Sequence, residues 1–550
     1  MNIASAVLER AHIEPDTVAI RALGERDSKG CPATATYGGI ERRSDRFAWA
    51  LSREGISRGT RTALLVRPGL EFFALVLALF KLGAVPVVVD PGIGLRRFGR
   101  CLDEAEPEAF LGIPAAQWAR RLFGWGRRTI RTSITVGDGL LDFIPTLESL
   151  AAAAPPHASW PIAETSASDP AAILFTSGST GPPKGVLYEH GHFAGQIEAI
   201  RALGDIQRGE VDLATFPPFA LFDPALGMTS IVPDMDPTRP GSVDPDAILE
   251  PAERYAATNL FGSPALIDTV ARGGEASRTK LTTLRRVVCA GAPVSADVMR
   301  RFLALLPEDA EVLTPYGATE CLPVSCISSR EVLRETAART AVGEGVCVGR
   351  PVSSIEVRIL AIEDGLIETW EAARELPAGE VGEITVRGPQ ATARYYGRPT
   401  ATALAKIYDI DGSVWHRMGD VGYQDAQGRL WYCGRKADRV ETKTTTLFSA
   451  PCEGIFDAHP AVRRTALVSV PDGSGHRRPV ICVETEPGGG RTARHSIDRD
   501  LRQLAKRHEA TRAISIFLFR GRFPVDIRHN AKIDRPRLAR WAARRLRWRI

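Results

Sequence analysis

The sequence predicts a mixed α/β protein: a large N-terminal domain of parallel and mixed β-sheets covered by helices, then a smaller α+β domain. Three observations carry this expectation. Short apolar runs alternate with helical patterns. The apolar run ending at Phe175 gives way to a stretch of small, hydroxylated and glycine residues. The pattern changes character near Gly434, where a unit of about 115 residues begins.

Taken in order, "TALLVRP" (Thr62–Pro68) reads as a strand, "LEFFALVLALFKLG" (Leu70–Gly83) as a helix and "AVPVVVDP" (Ala84–Pro91) as a strand. Together Phe73 to Val89 make the longest apolar run. Lys81, Gly83 and Pro86 interrupt it, which suits a helix followed by a strand and not a membrane span. Ala151 to Pro170, rich in Ala, Pro and Ser, reads as a connector. Beyond Gly434, "RTALVSVP" and "PVICVETEP" read as strands and Ile497 to His508 as a helix. The expected division is 1–434 and 435–550.

Composition narrows the class. Apolar content of 44% and charged content of 25% are ordinary for a globular protein. Nine cysteines are scattered without a CxxC pair, as for reduced thiols in the cytoplasm. The opening "MNIASAVLERAHIEPD" lacks the apolar centre of a signal peptide. The net charge is +5, but residues 535–550 alone hold seven arginines and no acid, which leaves −2 on the rest. So uneven a balance does not suggest a general nucleic-acid binder.

The stretch "ILFTSGSTGPPKGV" (Ile173–Val186) carries the first chemistry. Its glycines let several backbone N–H groups point inward as an anion nest. Thr176, Ser177, Ser179 and Thr180 add hydroxyl donors around Gly178, and Lys184 adds a point charge. Phosphate oxygens suit such a loop, although a solvated turn would use the same residue types. The GxxxxGK[ST] pattern is absent. Downstream come "CAGAP" (Cys289–Pro293), "TPYGATE" (Thr314–Glu320), "GEVGEITVRGP" (Gly379–Pro389), "ARYYGRP" (Ala393–Pro399), "WHRMGDVGYQDAQGRLWYCGRKAD" (Trp415–Asp438) and "PVDIRHNAKIDR" (Pro524–Arg535).

In this order and spacing the motifs resemble the AMP-forming acyl-adenylate superfamily of acyl-CoA synthetases, luciferases and adenylation domains. The likeness runs from "TYGGIERRSDRFAWAL" (Thr36–Leu51) to Leu538. It implies an ATP-dependent activation of a carboxylic acid and a mobile C-terminal lid. It implies further that Thr176 to Thr180 and Lys184 hold pyrophosphate, that Glu320 carries Mg²⁺ and that Thr319 reaches the α-phosphate. Tyr316 and Gly317, with Gly291, Ala292 and Pro293, would enclose adenine. Asp420 would take the ribose hydroxyls and Arg435 ribose or phosphate. Lys532 would neutralise the transition state. Phe219, Phe222, Asp223 and Gly262 would face the acyl substrate.

Two departures bear on the second half-reaction. "PPFALFDPALG" (Pro217–Gly227) lacks the histidine usual in acyl-CoA synthetases; Ala220, Phe222 or Pro224 stands in its place. After "GRKAD", the sequence "VETKTTTLFSAP" (Val440–Pro451) lacks the glycine turn that shapes a thiol path. With "TPYGATECLPVSCI" and "PVDIRHNAKI", these resemble the olefin-biosynthesis branch, the β-lactone synthetases. The resemblance implies a long-chain 2-alkyl-3-hydroxy acid as substrate. A fatty acyl-CoA ligase and an amino-acid adenylating enzyme are the alternatives, the latter because Phe222-Asp223 suits an α-amino group. A scaffold that merely keeps the fold would not need Lys532, Glu320 and Asp420. Finally, "ARRLFGWGRRTIR" (Ala119–Arg131) and the tail with Trp541 and Trp548 mix arginine with aromatics, as for contact with a lipid surface or another olefin-pathway enzyme.

Overall fold

A computed structural model of the chain describes residues 2–138, 144–176, 182–471, 477–486, 491–525 and 533–547. Strand Arg61–Leu65, helix Leu70–Leu82 and strand Val85–Val88 form the expected strand–helix–strand unit, its two strands parallel. Leu70–Leu82 is buried on nearly all sides, which accounts for its continuous apolar run, and Gly83 ends it in the left-handed region at φ 66°. Lys81 is buried within this helix because its ammonium is paired, lying 2.5 Å from Asp45 on helix Tyr37–Arg53, both groups buried. Asp45 also accepts the Trp160 backbone N–H at 3.2 Å.

Two sheets organise most of the chain. A six-stranded sheet runs in the order Thr132–Thr135, Ala109–Gly112, Arg61–Leu65, Val85–Val88, Pro170–Phe175, Gly185–Glu189; only the last strand is antiparallel. The other sheet has 14 strands. In one half, Val18–Arg26, Thr229–Val232, Val211–Ala214, Asn259–Gly262, Arg286–Cys289 and Glu311–Ala318 are parallel neighbours. At Glu311–Ala318 the chain turns back into Cys321–Ser328, and pairing from there to Val346–Pro351, Leu430–Arg435, Val414–Gln424 and Gly382–Arg387 is antiparallel. The expected mixture of parallel and mixed sheets is thus realised, and the switch between the two modes is the "TPYGATE" segment.

The C-terminal part adds a sheet of Val462–Pro471, Arg477–Thr485 and Phe517–Phe519. Helix Arg491–Arg507 begins six residues before the expected Ile497, because its buried face, Ile497, Leu501 and Ala505, was legible only from Ile497 onward. The tail forms helix Arg535–Arg547, with Leu538 and Ala542 fully buried against Val468 and Val480, and Arg520 over the Trp541 ring at 5.0 Å. Trp541 is therefore packed on its own domain, while Trp548 lies outside the described residues. By contrast Trp118, Leu122 and Phe123 are 53%, 79% and 51% exposed. Among the described residues no helix is long and apolar enough to cross a membrane.

Removing one partner of a buried ion pair strands the other charge. Asp45→Ala should destabilise the protein by about 3–5 kcal/mol in denaturant titration, and Asp45→Leu combined with Lys81→Met should recover most of that. Equal stability of the single and double variants would mean the pair contributes nothing.

Candidate active site

The candidate residues collect at the carboxyl ends of the parallel strands, where open α/β sheets generally bind ligands. Thr176 follows Pro170–Phe175, Ala290 to Pro293 follow Arg286–Cys289, and Thr319 follows Glu311–Ala318. Thr319 and Glu320 are the two-residue tip of a hairpin, since Ala318 pairs with Cys321. Gly317 is required there: a Cβ at that position would lie 2.6 Å from the Cys321 carbonyl oxygen.

The tip is held from three sides. The Tyr188 hydroxyl donates to the Thr319 carbonyl at 2.5 Å. Thr392 donates its backbone N–H and its hydroxyl to the Glu320 carbonyl at 2.8 and 3.0 Å. The Tyr395 hydroxyl donates to Glu320 Oε1 at 2.7 Å. Burial, and then the Glu320 charge, push the Tyr395 phenol well above its usual range, so it stays a proton donor.

Lys184 reaches the same point. Its ammonium lies 4.6 Å from the centroid of the Tyr395 ring. Its backbone closes the phosphate-type loop against Thr176: Thr176 N–H donates to the Lys184 carbonyl at 3.0 Å, and Lys184 N–H donates to Thr176 Oγ1 at 3.2 Å. Ser177, Gly178, Ser179 and Thr180 lie outside the described residues, as does Lys532.

A second cluster joins Tyr316, Asp420 and Arg435. Tyr316 donates to Asp420 Oδ2 at 2.6 Å, and Arg435 Nη1 lies 3.1 Å from Asp420 Oδ1. Strand pairing sets this geometry, because Asp420 and Arg435 are register partners on adjacent antiparallel strands. Asp420, 3% exposed, raises the Arg435 guanidinium pKa further, so the ion pair is maintained. Gly291, at φ 101°, Ala292 and Pro293 form a turn beside the strand end, mostly facing solvent.

The acyl candidates divide. Phe219 and Phe222 belong to a row of rings: Tyr188–Phe193 at 4.8 Å, Phe193–Phe222 at 6.2 Å, Phe222–Phe219 at 5.6 Å, Phe219–Phe261 at 4.2 Å and Phe261–Phe216 at 6.0 Å. The row leads from the Thr319 carbonyl to the surface, where Phe216 is 42% exposed. Of the three residues in the place of the missing histidine, Phe222 faces this row, whereas Ala220 and Pro224 are buried. A Cβ added at Gly262 would lie 3.1 Å from the side chains of Ile267 and Leu266. Asp223 is buried too, and faces inward. It interacts with Asp212 on strand Val211–Ala214, and burial pushes both carboxyls up, Asp212 to about 7.

Sequence reading missed Tyr188, Thr392, Tyr395, Phe193, Phe216 and Phe261. "ARYYGRP" did flag Tyr395, but nothing in it says which of two tyrosines meets Glu320. Position in the fold makes that choice: Tyr395 forms a bridge with Val186, two residues from Lys184. The altered thiol segment is a hairpin, Val440–Glu441 with Thr446–Leu447. Thr442 closes it, its Oγ1 accepting the Thr445 N–H at 3.0 Å and donating to the Thr445 carbonyl at 2.8 Å, so the turn is held by a hydroxyl and contains no glycine.

Comparison with known proteins agrees with this architecture. Residues 8–396 match the family described as AMP-binding enzyme. The chain is 51% identical to the olefin beta-lactone synthetase of Xanthomonas campestris pv. campestris, over 98% of this chain and 97% of that protein. It is 50% identical to the protein of the same name from Stenotrophomonas maltophilia, over 99% and 98%. Its fold is similar to the amide bond synthetase McbA of Marinactinospora thermotolerans, with a TM-score of 0.80 at 24% identity, covering 98% of this chain and 99% of that one.

The Asp212–Asp223 pair gives a pH signature. Carboxyls whose folded pKa is raised keep protons that the unfolded chain has already released, so they lower stability as pH rises from about 4 through about 7. Asp223→Asn should leave stability nearly unchanged at pH 4 and raise it at pH 8, by thermal denaturation. A variant destabilised equally at both pH values would contradict the assignment.

Proposed function

We propose, starting from the fact that the chain belongs to the AMP-binding enzyme family, that it is an AMP-forming β-lactone synthetase. It activates a long-chain 2-alkyl-3-hydroxy acid with ATP and closes it to a β-lactone in olefin biosynthesis. The observation that carries this reading is the identity of 51% over 98% of the chain to an olefin beta-lactone synthetase. The threonine-closed hairpin in place of a glycine turn, and a "PPFALFDPALG" segment that lacks the histidine of acyl-CoA synthetases, support it over a fatty acyl-CoA ligase. The inward orientation of Asp223 argues against an amino-acid substrate.

In the first step a carboxylate oxygen attacks the α-phosphorus and pyrophosphate leaves, giving the acyl-adenylate. Lys184 and the loop begun by Thr176 hold the departing phosphates, Asp420 and Arg435 the ribose, and Tyr316 with the Gly291–Pro293 turn the base. Thr319 contacts the α-phosphate, and Lys532 of the C-terminal domain (435–550, against 1–434) closes over it. Such a step is mainly positioning and charge neutralisation. Mg²⁺ is a hard cation that takes phosphate and water oxygens plus one or two carboxylates, and it supplies charge neutralisation; Glu320, a carboxylate held by one phenol, fits that need. In the second step the substrate's own β-hydroxyl oxygen attacks the acyl carbon, its proton is lost and AMP leaves. The aromatic row from Tyr188 to Phe216 keeps water away from the adenylate and receives the alkyl chains.

Nine free cysteines suit a cytoplasmic protein. Contact with a lipid surface or with other enzymes of the pathway falls to Trp118, Leu122 and Phe123 in preference to the packed Trp541.

The test is to supply ATP and a 2-alkyl-3-hydroxy acid, with and without coenzyme A, and to identify products by mass spectrometry. The expected outcome is AMP, pyrophosphate and a lactone, at a rate unchanged by coenzyme A. Efficient acyl-CoA formation would instead select the ligase.

A further inference from the structure

Lys406 is a charge that the mechanism above does not use. It begins strand Lys406–Tyr408, pairs in register with His416, and is 1% exposed. Among the described residues it makes no ion pair; its ammonium donates a short hydrogen bond to the Thr392 carbonyl. An ammonium taken out of water without a paired carboxylate is costly. Burial accordingly pulls it down to about 8, although Glu320 acts in the opposite direction. Its neighbours have adapted to its charge: His192 and His416 are both held below the usual histidine range, first by burial and next by Lys406.

The cost is informative because of where the hydrogen bond leads. Thr392 takes the Lys406 ammonium on its carbonyl and gives both its N–H and its hydroxyl to the Glu320 carbonyl. One residue therefore links a buried cation to the tip that presents Thr319 and Glu320. Lys184 stands on the Tyr395 ring, and Tyr395 donates to Glu320, so two of the tip's three supports have a cation behind them.

We propose that Lys406 is a positioning residue for acid activation: through Thr392 it fixes the Thr319–Glu320 tip, and its buried charge offsets that of Glu320 and of the phosphates. This rests on the adenylating function proposed above. It distinguishes Lys406 from a lysine kept for stability, because a buried unpaired cation lowers stability and its removal in favour of an isosteric apolar chain is generally neutral or favourable. The site keeps it at a cost to the fold, as strained or destabilising groups are kept where function needs them.

The experiment measures ATP–pyrophosphate exchange, dependent on the β-hydroxy acid, together with thermal denaturation, for the full chain and its Lys406→Met and Lys406→Arg variants. Lys406→Met should lower kcat for exchange by about 10- to 100-fold, with KM for the acid little changed and a melting temperature equal to or above that of the unsubstituted protein. Lys406→Arg, which keeps charge and donor, should recover part of the rate. Exchange by Lys406→Met close to that of the unsubstituted protein would overturn the proposal. So would a lowered melting temperature with kcat retained. Should Lys406→Met fail to fold, Lys406→Arg decides: a folded arginine variant with full exchange supports a charge requirement, and one with none overturns it. Absence of exchange in the unsubstituted protein would instead overturn the adenylating function itself, and this proposal with it.

Discussion

The two-residue turn at Thr319–Glu320 is the constraint on which the rest of the site depends. A turn that short leaves its own carbonyls without strand partners, and buried carbonyls must be satisfied. Here they are satisfied by side chains from two distant segments, Tyr188 and Thr392. Those segments are thereby brought to the end of the parallel half of the large sheet. Lys184 lies four residues before Tyr188 on the same strand-and-loop unit, and Tyr395 lies three residues after Thr392. The placement of a cation, a carboxylate and a phenol together thus follows from the hydrogen-bonding needs of one turn.

A similar economy holds on the C-terminal side. Arg535, three residues beyond Lys532, is gripped by Glu453 at 2.6 and 2.9 Å and lies 3.3 Å from Asp438. Val525 bridges Ile533. All of these belong to the C-terminal part, so Val525 and Ile533 to Arg535, on either side of the stretch that holds Lys532, are tied to that part of the chain. Lys436, in the preceding "GRKAD" segment, lies 2.9 Å from the buried Glu383, which also holds Arg417 at 2.6 Å. The glutamate of the "GEITV" motif thus ties the "GRKAD" segment to Arg417 on strand Val414–Gln424.

Several charges run against simple burial rules: Lys81, Lys406, Arg417, Asp212 and Asp223 are all buried. They fall into different physical cases. Lys81 and Arg417 are paired with carboxylates. Asp212 and Asp223 avoid the cost by retaining protons, as their raised pKa values imply. Among the described residues Lys406 has only a carbonyl. Its place beside the turn, and not its burial, is what separates it from the others.

The sequence by itself determined the fold class, the order of strands and helices around Leu70–Leu82, and the identity of the motif residues, because these depend on apolar periodicity and on spacing along one stretch of chain. It also determined that the thiol segment is altered, since an absent glycine is visible without a structure. Tertiary structure alone decided which motif residues meet. Asp420 and Arg435 come together through the register of two antiparallel strands, Tyr316 reaches Asp420 from a third, and Tyr395 rather than Tyr396 meets Glu320 through its bridge to Val186. It also buried Asp223 and packed Trp541 onto its own domain. The physical reason is that composition and periodicity report what a residue prefers to be near. Register, and the need of every buried polar group for a partner, report which residue it is near, and both are settled between separate segments of the chain.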